Sequence, residues 1–209
     1  WEVETIEPQG WNPRSGNWAY LGGSAGGVSA GAAVDYCQMA LQPNDDPVGA
    51  YSLDTPGSDQ PTHQVTRWNA GVFQNLGGST ILMHNVRNIF DMNCDPSGQI
   101  WVAATNSSDN CFVYHHDTES WTTPEQMTDD QTTYQPELTF DQDGHPVLAF
   151  RYRPMDSSHL GVRHWDGLLW QEYPDLQTST DNNLATMVIN GQFTMMYDNN
   201  LQYGHVAQY

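Results

Sequence analysis

Leu138–Arg151, LTFDQDGHPVLAFR, alternates apolar and polar residues up to a turn and then starts a new apolar run. Met39–Ser52 (MALQPNDDPVGAYS), Met92–Thr105 (MNCDPSGQIWVAAT) and Ala185–Asp198 (ATMVINGQFTMMYD) follow the same plan. Alternation broken by Gly, Asn, Asp or Pro predicts a strand, a turn and a second strand in each segment. Asp143-Gly144 and Asn190-Gly191 predict two-residue type I′ hairpin turns, which need positive φ at both central positions. Pro47 and Pro146, just after the turns, suit the first residue of a strand.

A second pattern follows each hairpin. Val65–Phe73 reads VTRWNAGVF, Val113–Trp121 reads VYHHDTESW and Val162–Trp170 reads VRHWDGLLW. Each runs from a valine through an Asn or Asp (Asn69, Asp117, Asp166) to an aromatic four residues later. Val206-Ala-Gln-Tyr209 starts a fourth copy, so the valines stand 48, 49 and 44 residues apart. Hairpin and second pattern together predict four short strands in each unit of ~47 residues. No stretch carries a sustained helical period with caps.

These spacings predict an all-β fold, a small β-propeller of four blades with four antiparallel strands each. A β-sandwich is the rival, but it does not require the same aromatic positions to recur at equal spacing. The predicted blades cover 34–78, 88–125, 135–175 and 183–209. Residues 1–6, an alternating strand, are expected to supply the strand that the last blade lacks and so close the ring within one domain over 1–209. Residues 11–33 form an extra hairpin or linker. Trp11–Gly23 resembles Trp68–Gly78, so half of a fifth blade is the alternative.

RWNAGVFQNLGGS (67–79) paired with LTFDQDGHPVLAFR (138–151) resembles the tandem propeller repeats of secreted bacterial proteins. Such repeats read D-x-x-G-x-P-x-V-A followed by V-x-R-W-N/D-G-x-x-W-x-x-L-G-G. The resemblance covers about residues 34–209 and implies architecture more than activity, because propellers host lectins, adhesins, hydrolases and scaffolds alike. The second unit departs from it, with His116 and Thr118 where the pattern has Trp and Gly.

Composition narrows the function classes. The 209 residues carry 25 acidic side chains against 6 arginines, with no lysine and a net charge of −19. Nucleic acid and anionic membranes would be repelled. Eight Trp, 10 Tyr and 6 Phe separate the chain from a disordered acidic tail. This acidic, lysine-free composition suits a secreted protein.

Two residues after each valine stands a polar residue on the same strand face: Arg67, His115, His164 and Gln208. One reading makes them a ring of equivalent ligand contacts; the other makes them hydrogen-bond partners of a neighbouring blade. The adjoining Trp68, His116, Trp165 and Tyr209 are expected to pack between blades. Trp11, which matches Trp68 in the stray segment, and Arg151, which shares a face with Arg153, complete the candidate ligand set.

No metal site and no cofactor are expected. His115 and His116 are consecutive and point to opposite faces, and HxH, HExxH and Cys-x-x-Cys patterns are absent. Asp141-x-Asp143-Gly144 holds oxygens suited to calcium, but turn formation accounts for it and residue 152 is Tyr where an EF-hand needs Glu. No nucleophile motif occurs, and the acidic residues are too numerous for sequence to select a catalytic pair. Cys94 and Cys111 fall at opposite ends of one predicted sheet, too far apart for a disulfide. Cys37 is expected to be free and buried. The function expected is a secreted, non-catalytic module that binds a glycan or cell-surface ligand. A protein scaffold and a glycan-processing hydrolase or lyase are the alternatives, and association into a homo-oligomer is a further expectation.

Overall fold

The computed structural model describes residues 34–53, 62–77, 86–117, 120–122, 125–128, 132–153, 158–178, 184–189, 192–199 and 203–208. The described residues form antiparallel sheets and no helix. The first sheet runs β1 (Val34–Leu41), β2 (Pro47–Leu53), β3 (Thr62–Asn69), β4 (Val72–Asn75) in that order. The second runs β5 (Val86–Cys94), β6 (Ile100–Asn106), β7 (Cys111–His116), β8 (Glu125–Gln126). The third runs β9 (Thr132–Phe140), β10 (Pro146–Arg153), β11 (Ser158–Trp165), β12 (Trp170–Glu172). A short extra strand, β13 (Leu176–Thr178), pairs with the far end of β11 and was not expected from the alternation. The last sheet runs β14 (Leu184–Ile189), β15 (Gln192–Asn199), β16 (Tyr203–Gln208).

The pairing puts the four valines in one register. Gln38, Ala50 and Val65 lie side by side across the first sheet, as do Asp91, Ala103 and Val113 across the second. Glu137, Ala149 and Val162 form the same row in the third, and Ala185, Met196 and Val206 in the last.

The sheets stand side by side. β1 touches β5, β5 touches β9 and β9 touches β14, so the first strands gather on one side and later strands lie progressively farther out. That is the arrangement of blades in a β-propeller. Each middle strand sends alternate side chains to its two neighbours. Ile100, Val102 and Ala104 pack on Val48, Ala50 and Val65, while Trp101 and Ala103 pack on Leu148 and Phe150. Val147 and Ala149 then meet Phe193 and Met195. Burial on both faces is why β6 and β10 read as unbroken apolar runs.

The end faces are different. Met39, Leu41 and Cys37 lie on the side of β1 away from β5 and are exposed, as are Met187 and Met196 of the last sheet. This corrects the expectation for Cys37: it is free but exposed, because it projects from a face that no described sheet covers. Cys94 closes β5 and Cys111 opens β7, at opposite ends of their sheet as the spacing implied, and both are free.

The 141–145 turn is also corrected. Asp141 N–H donates to His145 O and Gly144 N–H donates to Asp141 O around a three-residue loop, with Gly144 at φ 84° the glycine in the left-handed region. This is the type I turn plus left-handed residue of a G1 bulge. The equivalent position is Gly98 (φ 87°) in the second sheet and Asp45 (φ 65°) in the first. The two-residue turn with positive φ at both centres occurs instead at Ala70-Gly71 (47° and 94°). Asn190-Gly191, the 1–6 clasp and the 11–33 hairpin lie outside the described residues.

Candidate functional site

The turns that join third to fourth strands build a recurring edge. In the first sheet Trp68 faces Phe73 across β3 and β4, edge-on, with centroids 5.1 Å apart. Both rings are half-buried, and the turn residues Asn69–Val72 between them are exposed. Asn69 Nδ2 donates to Gln74 Oε1 at 3.1 Å, which fixes two amides on the face of the β3–β4 ladder opposite the rings. In the third sheet Trp165 faces Trp170 at 5.8 Å. Asp166 Oδ1 accepts the backbone N–H of Leu168 and Leu169, and Oδ2 accepts Gln171 Nε2 at 2.7 Å. These bonds hold the Asp166 carboxyl down to about 2. Val72 and Leu168, 55% and 78% exposed, add open aliphatic surface to the two edges.

The second sheet keeps the geometry but hides it. His116 and Trp121 pair at 5.1 Å, yet His116 is buried and Trp121 donates its Nε1–H to Leu76 O of the preceding sheet. Trp170 likewise hydrogen-bonds Glu125 of the preceding sheet. Trp121 and Trp170, one strand farther out, thus reach the preceding sheet, His116 is buried within range of the Arg67 charge on the first sheet, and Tyr209, also expected to pack between blades, lies outside the described residues.

The predicted ligand residues occupy matching positions but different surroundings. Arg67, His115, His164 and Gln208 lie opposite Val48, Trp101, Val147 and Thr194. Arg67 is half-buried next to Gln74 across β3–β4, and its charge reaches His116. His115 stacks on Trp101 at 4.4 Å and shares a hydrogen bond with Thr122 Oγ1. Burial lowers its pKa, against the pull of Asp117 and Asp95. His164 Nε2 lies 2.8 Å from Asp141 Oδ2. Arg151 lies over the Tyr134 ring, 4.6 Å from its centroid. Arg67, His115 and His164 thus hold one register position in different surroundings, and the Gln208 side chain and Trp11 lie outside the described residues.

Two features were hidden in the sequence. On the first strands, Asp91 Oδ2 accepts the Leu138 N–H at 2.6 Å and Asn93 Nδ2 donates to Leu138 O at 3.3 Å. One β5 face therefore holds both backbone polar groups of Leu138, which belong to two successive β9 peptides. Glu137, next to Leu138, is half-buried. Burial, with the neighbouring Asp91 charge adding, pushes Glu137 up to about 7, and burial pushes Asp91 up to about 6 against its two backbone N–H bonds. The other feature is the grouping of Asp141, His145 and His164, whose donor atoms all lie within 4.8 Å of one another. Only the register shows that a third-strand position 23 residues away abuts the first turn.

No family model matches the chain, and no curated protein matches it. Among solved structures it is similar to a protein of unknown function from Dyadobacter fermentans, with TM-score 0.51 and 12% identity over 77% of this chain and 56% of that one. It is similar to an endo-arabinase from Bacteroides thetaiotaomicron, with TM-score 0.50 and 12% identity over 92% of this chain and 77% of that one. A fucose lectin from Kordia zhangzhouensis in complex with methyl-fucoside gives TM-score 0.42 and 15% identity over 66% of this chain and 97% of that one. The chain spans 56% of the length of the Dyadobacter protein. At these identities the likeness is one of fold.

Proposed function

We propose that the chain is a secreted, non-catalytic glycan-binding module that holds saccharides at the outer turn edges of its first and third sheets. The observation that carries this reading is the recurrence of one turn edge: a half-buried ring pair on one face, a fixed amide or carboxylate group in the turn or on the other face, and an exposed aliphatic between them. The apolar face of a sugar ring stacks on an aromatic, and its hydroxyls bond to Asn, Gln, Asp or Arg. Trp68, with Asn69 and Gln74 around the turn edge, offers that set in the first sheet. Trp165, Asp166, Gln171 and Leu168 offer it in the third. Two weak sites on one rigid body gain avidity on a dense glycan surface.

The test is a dense glycan array probed with wild type, Trp68→Ala, Trp165→Ala and the double variant. A defined sugar set should be bound by wild type, weakened ~10²-fold in each single variant as bivalency is lost, and blank in the double variant. A blank array with folded wild type, or binding that survives the double variant, overturns the reading.

A second reading is favoured by the Asp91–Glu137 pair. Two neighbouring carboxyls with raised pKa values suit the acid and base of glycan cleavage. Release of reducing ends by wild type and its loss in Glu137→Gln would establish that reading in place of the first.

A further inference from the structure

The β9–β10 turn holds the Asp141 carboxylate in one pose. Oδ1 accepts the backbone N–H of Asp143 at 2.9 Å and of His145 at 2.8 Å. The carboxylate is thereby fixed against rotation, and Oδ2 is presented to two imidazoles. His164 Nε2 lies 2.8 Å away and His145 Nδ1 3.6 Å away. The imidazole centroids are 6.1 Å apart, and all three side chains are half-buried.

The equivalent turns show what is particular here. In the second sheet Asp95 caps its turn in the same manner, but its Oδ2 accepts the Trp101 Nε1–H and the His145 position is Gln99. In the first sheet Gln42 and Asp46 stand at those positions. The third sheet alone among the three sets two histidines around the second oxygen of a locked carboxylate.

We infer that Asp141, His145 and His164 form a binding site for a divalent transition metal of the zinc class. Two imidazole nitrogens and one carboxylate oxygen suit Zn²⁺ or Co²⁺ and not the all-oxygen preference of Ca²⁺. Three protein ligands leave a fourth position for water or a ligand oxygen. The backbone bonds to Asp141 Oδ1 do the work of an outer shell, orienting the ligand before the ion arrives. The ion takes the place of the proton that His164 and Asp141 share across their 2.8 Å hydrogen bond.

The experiment uses the full chain without a polyhistidine tag, freed of metal by chelation and titrated with Co²⁺. One tight equivalent should develop the visible absorption of a low-coordinate Co²⁺ complex, and Zn²⁺ should bleach it. His145→Ala keeps the backbone N–H that caps Asp141, so its circular dichroism should match wild type. Its Co²⁺ affinity, and that of His164→Ala, should fall at least ~10-fold. Absence of binding, or a spectrum unchanged in folded His145→Ala, overturns the site.

Discussion

Gly161 shows how a single missing methyl is used. It pairs with Phe150 across β10 and β11, and the Phe150 ring lies over it. A Cβ at this position would stand 2.7 Å from Phe150 Cζ, 2.8 Å from Cε2 and 3.3 Å from Tyr152 Cε1. The ring is also buried among Trp101, Leu148 and Leu138, so it has nowhere to retreat. Gly161→Ala should therefore cost ~1–3 kcal/mol in denaturant unfolding, the usual range for overpacking a full core. A change inside ±0.5 kcal/mol would mean that the ring moves aside freely. At this scale legibility is uneven. His164 stands out because it follows a repeated valine by two residues, but its partner His145 sits in a turn where Asp143-Gly144 predicts a two-residue loop and the fold has three. Asp91 and Glu137 were indistinguishable from the other acids, since only the pairing shows that they face each other across two sheets.

At the scale of elements, the strands and their order were legible because alternation and the valine frame recur. The irregularities were not. β5 slips register between Val86 and Asn88 and again between Ile89 and Asp91, and β9 slips between the partners of Ala149 and Arg151, beside Gln135 at φ 47°. Bulges re-aim side chains, and here they flank the two carboxyls whose protons are held most tightly. Those carboxyls give a pH signature. In the unfolded chain Glu137 titrates at its ordinary 4.5, and in the fold near 7. Its stabilising share is thus complete below about pH 4.5 and is lost as pH rises through 7, because the folded state must then ionise a half-buried group beside Asp91. His115 and His116, held low chiefly by burial, act in the opposite sense as pH falls. Comparison with Glu137→Gln separates the two. The variant should unfold at higher denaturant than wild type at pH 8, with the gap closing by pH 4.5. A gap independent of pH would show that Glu137 titrates normally.

The described sheets form a series of sheet-on-sheet contacts, each core cluster belonging to two neighbours. Stability in such an array is close to a sum of neighbour terms. Met39 and Met92 isolate one of those terms, because they hold the same register on the first strands of successive sheets: each is the third residue from its strand's end and lies opposite Gly49 or Val102. Met92 packs into the cluster between the first and second sheets and is 3% exposed, whereas Met39 projects from the uncovered face and is 73% exposed. Met92→Ala should cost ~2–5 kcal/mol through lost burial and a residual cavity. Met39→Ala should stay within ~0.5 kcal/mol, as at other open surface positions. The pair also reports on closure, which neither substitution alone would do. If the last sheet, a further strand or a second copy covers the β1 face in solution, Met39 becomes the counterpart of Met92 and its truncation costs a similar amount. Repeating the Met39→Ala measurement over a range of protein concentrations then separates the cases, since cover by another copy fades on dilution and cover from within the chain does not.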